Sequence, residues 1–242
     1  MVVRTPRLVS VALAGPELVG FASDEPAASV RLLLPRGGPG TPLEVPVWDG
    51  NEFLFTDGAR PPIRTLTPLR VDPIIGRLEV EVVLHGHGAL ARWAAATHVG
   101  DEVAVSGPGR GYVPPPGAGR FLVVGDESAL PAIGQLLTSL PSGAQVDVIV
   151  EIAHPDGRVE LPERDGSTVR WVELNAADAP GAGMTAAVAD LSVADDLHVW
   201  AAGEAAGVQA LRRVLFEEHG LPRSHAVVRG YWKHGRDGAG TT

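Results

Sequence analysis

The sequence predicts a two-domain protein of the β + α/β class, in which an antiparallel β-barrel precedes a domain built on a parallel sheet. Two observations along the chain support this prediction. Up to about residue 113 the chain consists mostly of short strand-like runs separated by Pro and Gly, which is typical of antiparallel β-structure. Farther along, strand-like runs alternate with helix-like runs, and this alternation indicates a parallel sheet covered on both faces.

The N-terminal strands are marked by alternating apolar residues. Residues 8–13 and 30–34 alternate in this way, and residues 77–85 give the clearest run. One face of that run carries four aliphatic side chains: Leu78, Val80, Val82 and Leu84. A single helix is predicted over residues 88–97. Short strands accompanied by one helix indicate a β-barrel or a β-sandwich.

The linker between the two domains is predicted at residues 107–117, whose sequence is GPGRGYVPPPG. It gives domains of residues 1–116 and 117–242. Beyond it, the predicted strands cover residues 120–124, 145–152, 169–174, 197–201 and 226–229, and the predicted helices cover residues 128–137, 184–189 and 205–219. The last helix carries an amphipathic stripe formed by Val208, Leu211, Leu215 and Phe216.

Composition excludes several classes of function. The formal net charge of -9 argues against a general affinity for nucleic acid or for an anionic membrane. The chain has no cysteine, which excludes disulfides, thiolate nucleophiles and cysteine-ligated iron–sulfur clusters. Since no secretory signal or membrane-spanning run is found, we expect a soluble, cytoplasmic protein. The oligomeric state cannot be read from the sequence.

Three segments in the second half carry a family resemblance. They are VVGDESALPAI at 123–133, WAAGEA at 200–205 and GYWKHG at 230–235. In this order and spacing they resemble the siderophore-interacting proteins, which are flavin-dependent ferric-siderophore reductases of the ferredoxin-reductase-like superfamily. Weaker matches lie at residues 64–67 and 85–94, so the resemblance extends over most of the chain.

The resemblance implies an FAD-binding β-barrel, an NAD(P)H-binding α/β domain and a C-terminal tail that returns to the flavin site. It implies hydride transfer from NADPH or NADH to FAD, and then transfer of single electrons to a ferric siderophore. The residues that it assigns to cofactor binding are Arg64, Leu66, Thr67, His85, Gly88, Ala91, Trp93, Asp126, Glu127, Ser128, Ala129, Gly203, Glu204, Tyr231 and Trp232. Those that it assigns to the siderophore are Arg229, Lys233 and Arg236.

The residues themselves leave alternatives open in the second domain. The strand-to-helix turn at 125–131 offers backbone N–H groups to a pyrophosphate, but Asp126 and Glu127 could cap the helix instead. Gly203 permits close approach of a ligand, or it belongs to a plain turn. The aromatic residues of the tail contact the flavin or close the domain. Its basic residues attract an anionic siderophore, or they are simply solvated.

The first domain departs from the family pattern at three positions. Leu66 stands where the family usually has tyrosine, Ala89 where proline is expected, and Ala91 where serine is expected. Leucine cannot stack on a flavin as tyrosine does, and alanine has no hydroxyl to offer a phosphate. Two alternatives therefore remain: a flavin-poor or flavin-free ligand-binding module on the same fold, and a flavin reductase with another acceptor.

The sequence assigns no acid–base residue and no metal site. Flavin chemistry needs no protein nucleophile, because the cofactor performs the redox step. His85 and His87 have no third ligand at recognisable metal spacing. The choice between NADH and NADPH also stays open, since Arg158 either contacts a 2′-phosphate or is an ordinary loop arginine.

Overall fold

The computed structural model describes residues 1–84 and 88–235 of the chain. These residues form two compact units. The N-terminal unit comprises residues 1–24, 28–84, 88–110 and 235, and the C-terminal unit comprises residues 25–27 and 111–234. His85 and Arg236, both predicted site residues, lie outside the described residues.

The N-terminal unit is built from antiparallel strands and one helix. Its strands are β1 (Val2–Thr5), β2 (Leu8–Ala14), β3 (Val30–Leu33), β4 (Val47–Trp48), β5 (Phe53–Leu54), β6 (Ile63–Leu66), β7 (Pro68–Asp72), β8 (Arg77–Val83) and β9 (Ala104–Ser106). They pair in the orders β1-β2-β8-β7, β6-β3-β9 and β4-β5. The helix is α1 (Ala89–Ala96). As predicted, Leu78, Val80 and Val82 of β8 face the core, where Trp93 of α1 packs beside them.

The C-terminal unit contains a five-stranded parallel sheet. Its strands are β10 (Arg120–Asp126), β11 (Gln145–Ile152), β12 (Ser167–Glu173), β13 (Leu197–Glu204) and β14 (Ala226–Trp232), in the order β12-β11-β10-β13-β14. The helices are α2 (Leu130–Ser139), α3 (Ala182–Ala189) and α4 (Ala205–Arg213). The predicted fold class is therefore confirmed. Because the strand order reverses between β10 and β13, their carboxyl ends border the crevice where such sheets usually bind ligands.

Apolar side chains explain why this half of the chain forms these elements. Strand β10 is apolar and buried from residue 121 to 125, and β11 is apolar and buried from 148 to 150, as expected for strands covered on both faces. Val208, Leu211 and Leu215 of the predicted stripe are buried in the core.

Beyond α4 the helical path continues as a wider turn over Val214–Glu218. Within the described residues, no helix combines the length and the apolar character needed to cross a bilayer.

A pair of histidines near the amino ends of β13 and β14 makes stability depend on pH. The rings of His198 on β13 and His225 lie with their centroids 4.4 Å apart. Burial lowers the pKa of His198, the charge of His225 lowers it further, and Asp196 partly offsets both effects. The unfolded chain therefore binds a proton at His198 more readily than the folded chain does, so stability should fall as the pH drops below about 6.5.

We expect the melting temperature to decrease between pH 7 and pH 5, and His198→Asn to make that decrease shallower. Thermal denaturation across a pH series measures both slopes. His154→Asn is the matched control, because His154 is exposed and lies outside this pair. If His198→Asn leaves the slope of melting temperature against pH unchanged, the pH dependence does not arise from protonation of His198.

Candidate functional site

Three buried carboxylates lie near the carboxyl ends of the central strands of the C-terminal sheet. Asp126 ends β10, Glu151 is next to last in β11, and Glu204 ends β13. Their exposed fractions are 6%, 3% and 3%. Asp126 and Glu151 face each other in the register of β10 and β11. Since burying an unpaired charge is costly, each carboxylate must have partners inside the fold.

Asp126 accepts four hydrogen bonds. Its Oδ1 accepts from the backbone N–H and from the hydroxyl of Ser128, at 2.9 and 2.5 Å. Its Oδ2 accepts from the backbone N–H of Glu204 at 2.9 Å and from the indole Nε1 of Trp232 at 2.7 Å. Burial raises the pKa of the Asp126 carboxyl, and these hydrogen bonds lower it in part. Four donors match the four lone-pair positions of a carboxylate.

Glu204 caps the helix that follows it. Its Oε2 accepts from the backbone N–H groups of Ala206 and Gly207, at 2.6 and 2.9 Å. Its Oε1 accepts from the backbone N–H of His234, in the tail, at 3.0 Å. The backbone N–H groups in the first turn of α4 are thus bound by the side-chain carboxylate of Glu204.

Glu151 caps helix α3, whose N-cap residue, Gly181, lies 30 residues later. Its Oε1 accepts from the backbone N–H of Gly181 at 2.6 Å, and its Oε2 accepts from that of Met184 at 3.0 Å. These donors belong to the start of α3. The sequence did not single out Glu151. Its signal was an acid near the carboxyl end of a predicted strand, directly after the apolar run at 148–150, much as Asp126 and Glu204 stand at the ends of their own strands.

Two glycines make room for Asp126 and its turn. A Cβ at Gly203 would lie 2.7 Å from Asp126 Oδ2, so the absent side chain leaves space for this carboxylate. A Cβ at Gly125 would lie 2.6 Å from the Cβ of Ala129, which lets β10 run close to the turn after it. The close approach that the sequence predicted at Gly203 is thus made by a side chain of the protein. Ligand contact at this glycine stays a prediction.

The other predicted residues of this edge differ in exposure. Ala129 is buried and Ser128 is half-buried. Glu127 is buried, and its Oε1 lies 2.4 Å from where a Cβ of Gly157 would stand. Tyr231 sits edge-on to the buried Trp200, with ring centroids 6.3 Å apart.

The basic residues of the C-terminal unit have different surroundings. Arg229 donates to the backbone carbonyls of Gly111, at 2.7 Å, and of Ala27, at 3.4 Å, and so ties these segments to β14. Lys233 is exposed in the tail. Arg158 forms an exposed ion pair of 3.0 Å with Glu173 at the end of β12. Siderophore contact by Arg229 and Lys233 stays a prediction.

In the N-terminal unit, the predicted flavin residues cluster at β6 and the turn after it. Arg64 is half-buried, and its guanidinium donates to the backbone carbonyl of Ile63 at 2.7 Å. Leu66 packs against the core of the unit, and Thr67 is buried. Leucine at the expected tyrosine position therefore contributes to packing here.

The start of α1 has the donors that a pyrophosphate needs. Gly88 is the N-cap residue, with φ of 83°, and it offers no side chain to the first turn. The first N–H groups of a helix have no partner within the helix, and they carry the positive end of its dipole. Ala91 is buried, and the buried Nε1 of Trp93 has no hydrogen-bond partner among residues 1–84 and 88–235. These backbone donors and the half-buried Arg64 of the same unit are the kinds of group that bind an anionic dinucleotide such as FAD.

The two units thus present different chemistry. The N-terminal unit offers an arginine and a helix start whose N-cap residue, Gly88, has no side chain, whereas the starts of α3 and α4 in the C-terminal unit are occupied by the buried carboxylates of Glu151 and Glu204. Among residues 1–84 and 88–235, no group of three or more His, Cys, Asp or Glu side chains is arranged to hold a metal ion.

Comparison with known proteins agrees with this division. Residues 3–112 match the siderophore-interacting FAD-binding domain family, and residues 118–235 match the siderophore-interacting protein family. The crystal structure of a siderophore utilization protein from T. fusca superposes with a TM-score of 0.83 at 34% identity, over 96% of this chain and 89% of that one.

Two curated relatives are similar over most of their length. The NADPH-dependent ferric-chelate reductase of Escherichia coli (strain K12) is 30% identical over 228 residues, which are 92% of this chain and 85% of that protein. The ferric vibriobactin reductase ViuB of Vibrio cholerae is 26% identical over 234 residues, which are 95% of this chain and 85% of that protein.

Proposed function

Because the chain belongs to the siderophore-interacting protein family, we propose that it is a flavin-dependent reductase that uses NAD(P)H to reduce ferric iron held by a siderophore. One observation carries the proposal: the chain combines two parts that such a reductase needs. Its first half matches an FAD-binding domain, and its second half has a parallel sheet whose strand order reverses, which is where such sheets usually bind ligands. Relatives named as ferric reductases support it. A cytoplasmic location, where NAD(P)H is plentiful, fits this activity.

FAD would be held by Arg64 and by the start of α1 in the N-terminal unit. An arginine pairs with phosphate through two parallel hydrogen bonds, and a helix start adds backbone donors. FAD held there would supply a group that can take up the hydride of NAD(P)H and release its electrons singly. Since a hydride carries two electrons and a ferric ion accepts one, each NAD(P)H reduces two ferric chelates.

The edge of the C-terminal sheet that carries Asp126, Glu151 and Glu204, here called the carboxylate edge, suits one end of NAD(P)H better than the other. The backbone N–H groups at the starts of α3 and α4 already donate to Glu151 and Glu204, so few of them are left to bind the pyrophosphate. A nicotinamide ring gains positive charge as it gives up hydride. Buried carboxylates nearby favour that change, because fixed negative charge in a dry site stabilises a developing positive charge. We therefore assign this edge to the nicotinamide end.

The test begins with the purified full chain, whose visible spectrum is recorded after FAD is added and the excess is removed. Anaerobic assays then follow NADPH or NADH oxidation with a ferric siderophore present, and a chromophoric chelator traps the ferrous product. We expect a retained flavin spectrum and two ferrous ions per NAD(P)H. Retained flavin without ferrous product would point to a flavin reductase with another acceptor. No retained flavin would point to a ligand-binding module.

Arg64→Met should weaken FAD binding about tenfold, because a charge-assisted hydrogen bond to phosphate contributes on the order of 1.5–3 kcal/mol, and other contacts partly compensate. Titration of flavin fluorescence measures the dissociation constant. Arg70→Met is the matched control, since Arg70 is an exposed arginine on the neighbouring strand β7. If both variants bind FAD as tightly as the native protein does, Arg64 has no role in flavin binding.

A further inference from the structure

The last residue of β14 and the tail after it are attached to strands β10 and β13 at two points. The indole Nε1 of Trp232 donates to Asp126 Oδ2 at 2.7 Å, and the backbone N–H of His234 donates to Glu204 Oε1 at 3.0 Å. Both acceptors are buried carboxylates at the ends of the two strands that flank the reversal of strand order. Lys233, the single lysine of the sequence, lies between these two points.

The contact through Trp232 combines partial burial with a directed hydrogen bond. The residue is 39% exposed, so its ring is only partly packed, and the hydrogen bond to Asp126 fixes the orientation of the indole. A hydrogen bond to an ionised group is about twice as strong as a neutral one. Asp126 is in turn held by Ser128 and by the backbone of Glu204, so that its carboxylate is a fixed acceptor.

We propose that Asp126 is a positioning residue: by binding the Trp232 indole, it holds the backbone of Lys233 in place to attract an anionic ferric chelate. This inference rests on the proposed function for its substrate class. A lysine on a mobile tail loses conformational freedom when it pairs with a ligand, and that loss weakens binding. A backbone fixed on both sides has already lost much of this freedom. The Lys233 ammonium group can therefore pair with a ligand at a lower cost in conformational entropy.

Trp232→Phe removes the hydrogen bond while it keeps a smaller aromatic ring at this position. Lys233→Gln removes the charge and keeps the attachment of the tail. Trp171→Phe is the matched control, because Trp171 lies on the edge strand β12 of the same unit, away from the tail. Melting temperatures of the three variants report whether the fold survives.

The probes are two ferric complexes of different charge, the tris-catecholate trianion and the EDTA monoanion, each labelled with radioactive iron. Equilibrium dialysis against the full chain measures their dissociation constants without FAD or NAD(P)H. We expect Trp232→Phe and Lys233→Gln each to weaken binding of the trianion about fivefold, and the monoanion less. The double variant should be no weaker than Lys233→Gln, because Trp232 acts through Lys233. Hydrogen exchange at the His234 amide should be faster in Trp232→Phe.

Three results would overturn the proposal: native protein that does not bind the trianion, unchanged binding in Trp232→Phe, or losses that multiply in the double variant. The outcome is separable from that of the proposed function, since dialysis requires no turnover. A chain that binds the trianion through this tail but reduces no ferric chelate would refute the reductase and keep the positioning role. A chain that reduces ferric chelates but binds them equally well in all variants would do the reverse.

Discussion

Replacing Glu151 with alanine is expected to destabilise the C-terminal unit by about 4 kcal/mol, since two buried N–H groups lose their acceptor and each costs roughly 1–3 kcal/mol. The donors are the backbone N–H groups of Gly181 and Met184, at the start of α3. Met184 itself is fully buried, so water cannot easily replace the lost carboxylate. Urea denaturation followed by circular dichroism measures the change in the free energy of unfolding.

Glu173→Ala is the control for this prediction. Glu173 lies at the end of the neighbouring strand β12, and its side chain is 49% exposed in its ion pair with Arg158. An exposed pair contributes at most about 1 kcal/mol, so this variant should be close to native. Glu151→Gln should fall between the two, because one amide oxygen can still accept one of the hydrogen bonds. Similar losses in Glu151→Ala and Glu173→Ala would show that Glu151 does not cap α3 in solution.

The fold class could be predicted because it depends on local patterns. The apolar runs of β10 and β11, and the stripe of Val208, Leu211 and Leu215, are each visible within about ten residues of sequence. The same holds for the clear alternation of β8. Short strands such as β4 and β9 have two or three residues and no alternation to reveal them. Their pairing depends on neighbours that lie far away along the chain.

The chemistry of the carboxylate edge could be predicted only in part. The turns after β10 and β13 identified Asp126 and Glu204, and self-capping was one of two open interpretations. The partners that matter most are distant: Trp232 lies 106 residues from Asp126, and Gly181 lies 30 residues from Glu151. Such contacts follow from the order of strands in the sheet, which single-sequence patterns do not contain. The ligand roles that the resemblance assigns to these residues stay predictions, and the structure adds the hydrogen bonds that their side chains make within the protein.

Gly207→Ala should destabilise the protein by about 2 kcal/mol, although alanine is the better helix former by about 1 kcal/mol. A Cβ at this position, in the first turn of α4, would lie 2.6 Å from Gly181 Cα and 3.0 Å from the carbonyl oxygen of Pro180. Both obstacles are backbone atoms, so α3 and α4 must move apart. The same movement disturbs the hydrogen bond from the Gly207 N–H to Glu204.

Gly134→Ala is the matched control, and its effect should have the opposite sign. Gly134 lies within α2, and a Cβ there would stand 3.7 Å from Pro162 Cδ, an ordinary contact distance. The substitution should therefore stabilise the protein by up to about 1 kcal/mol. Equilibrium unfolding measures both values, and equal signs would contradict the close packing of α3 on α4. Because Glu204 also holds the His234 amide, Gly207→Ala should in addition speed hydrogen exchange in the tail, whereas Gly134→Ala should leave it unchanged.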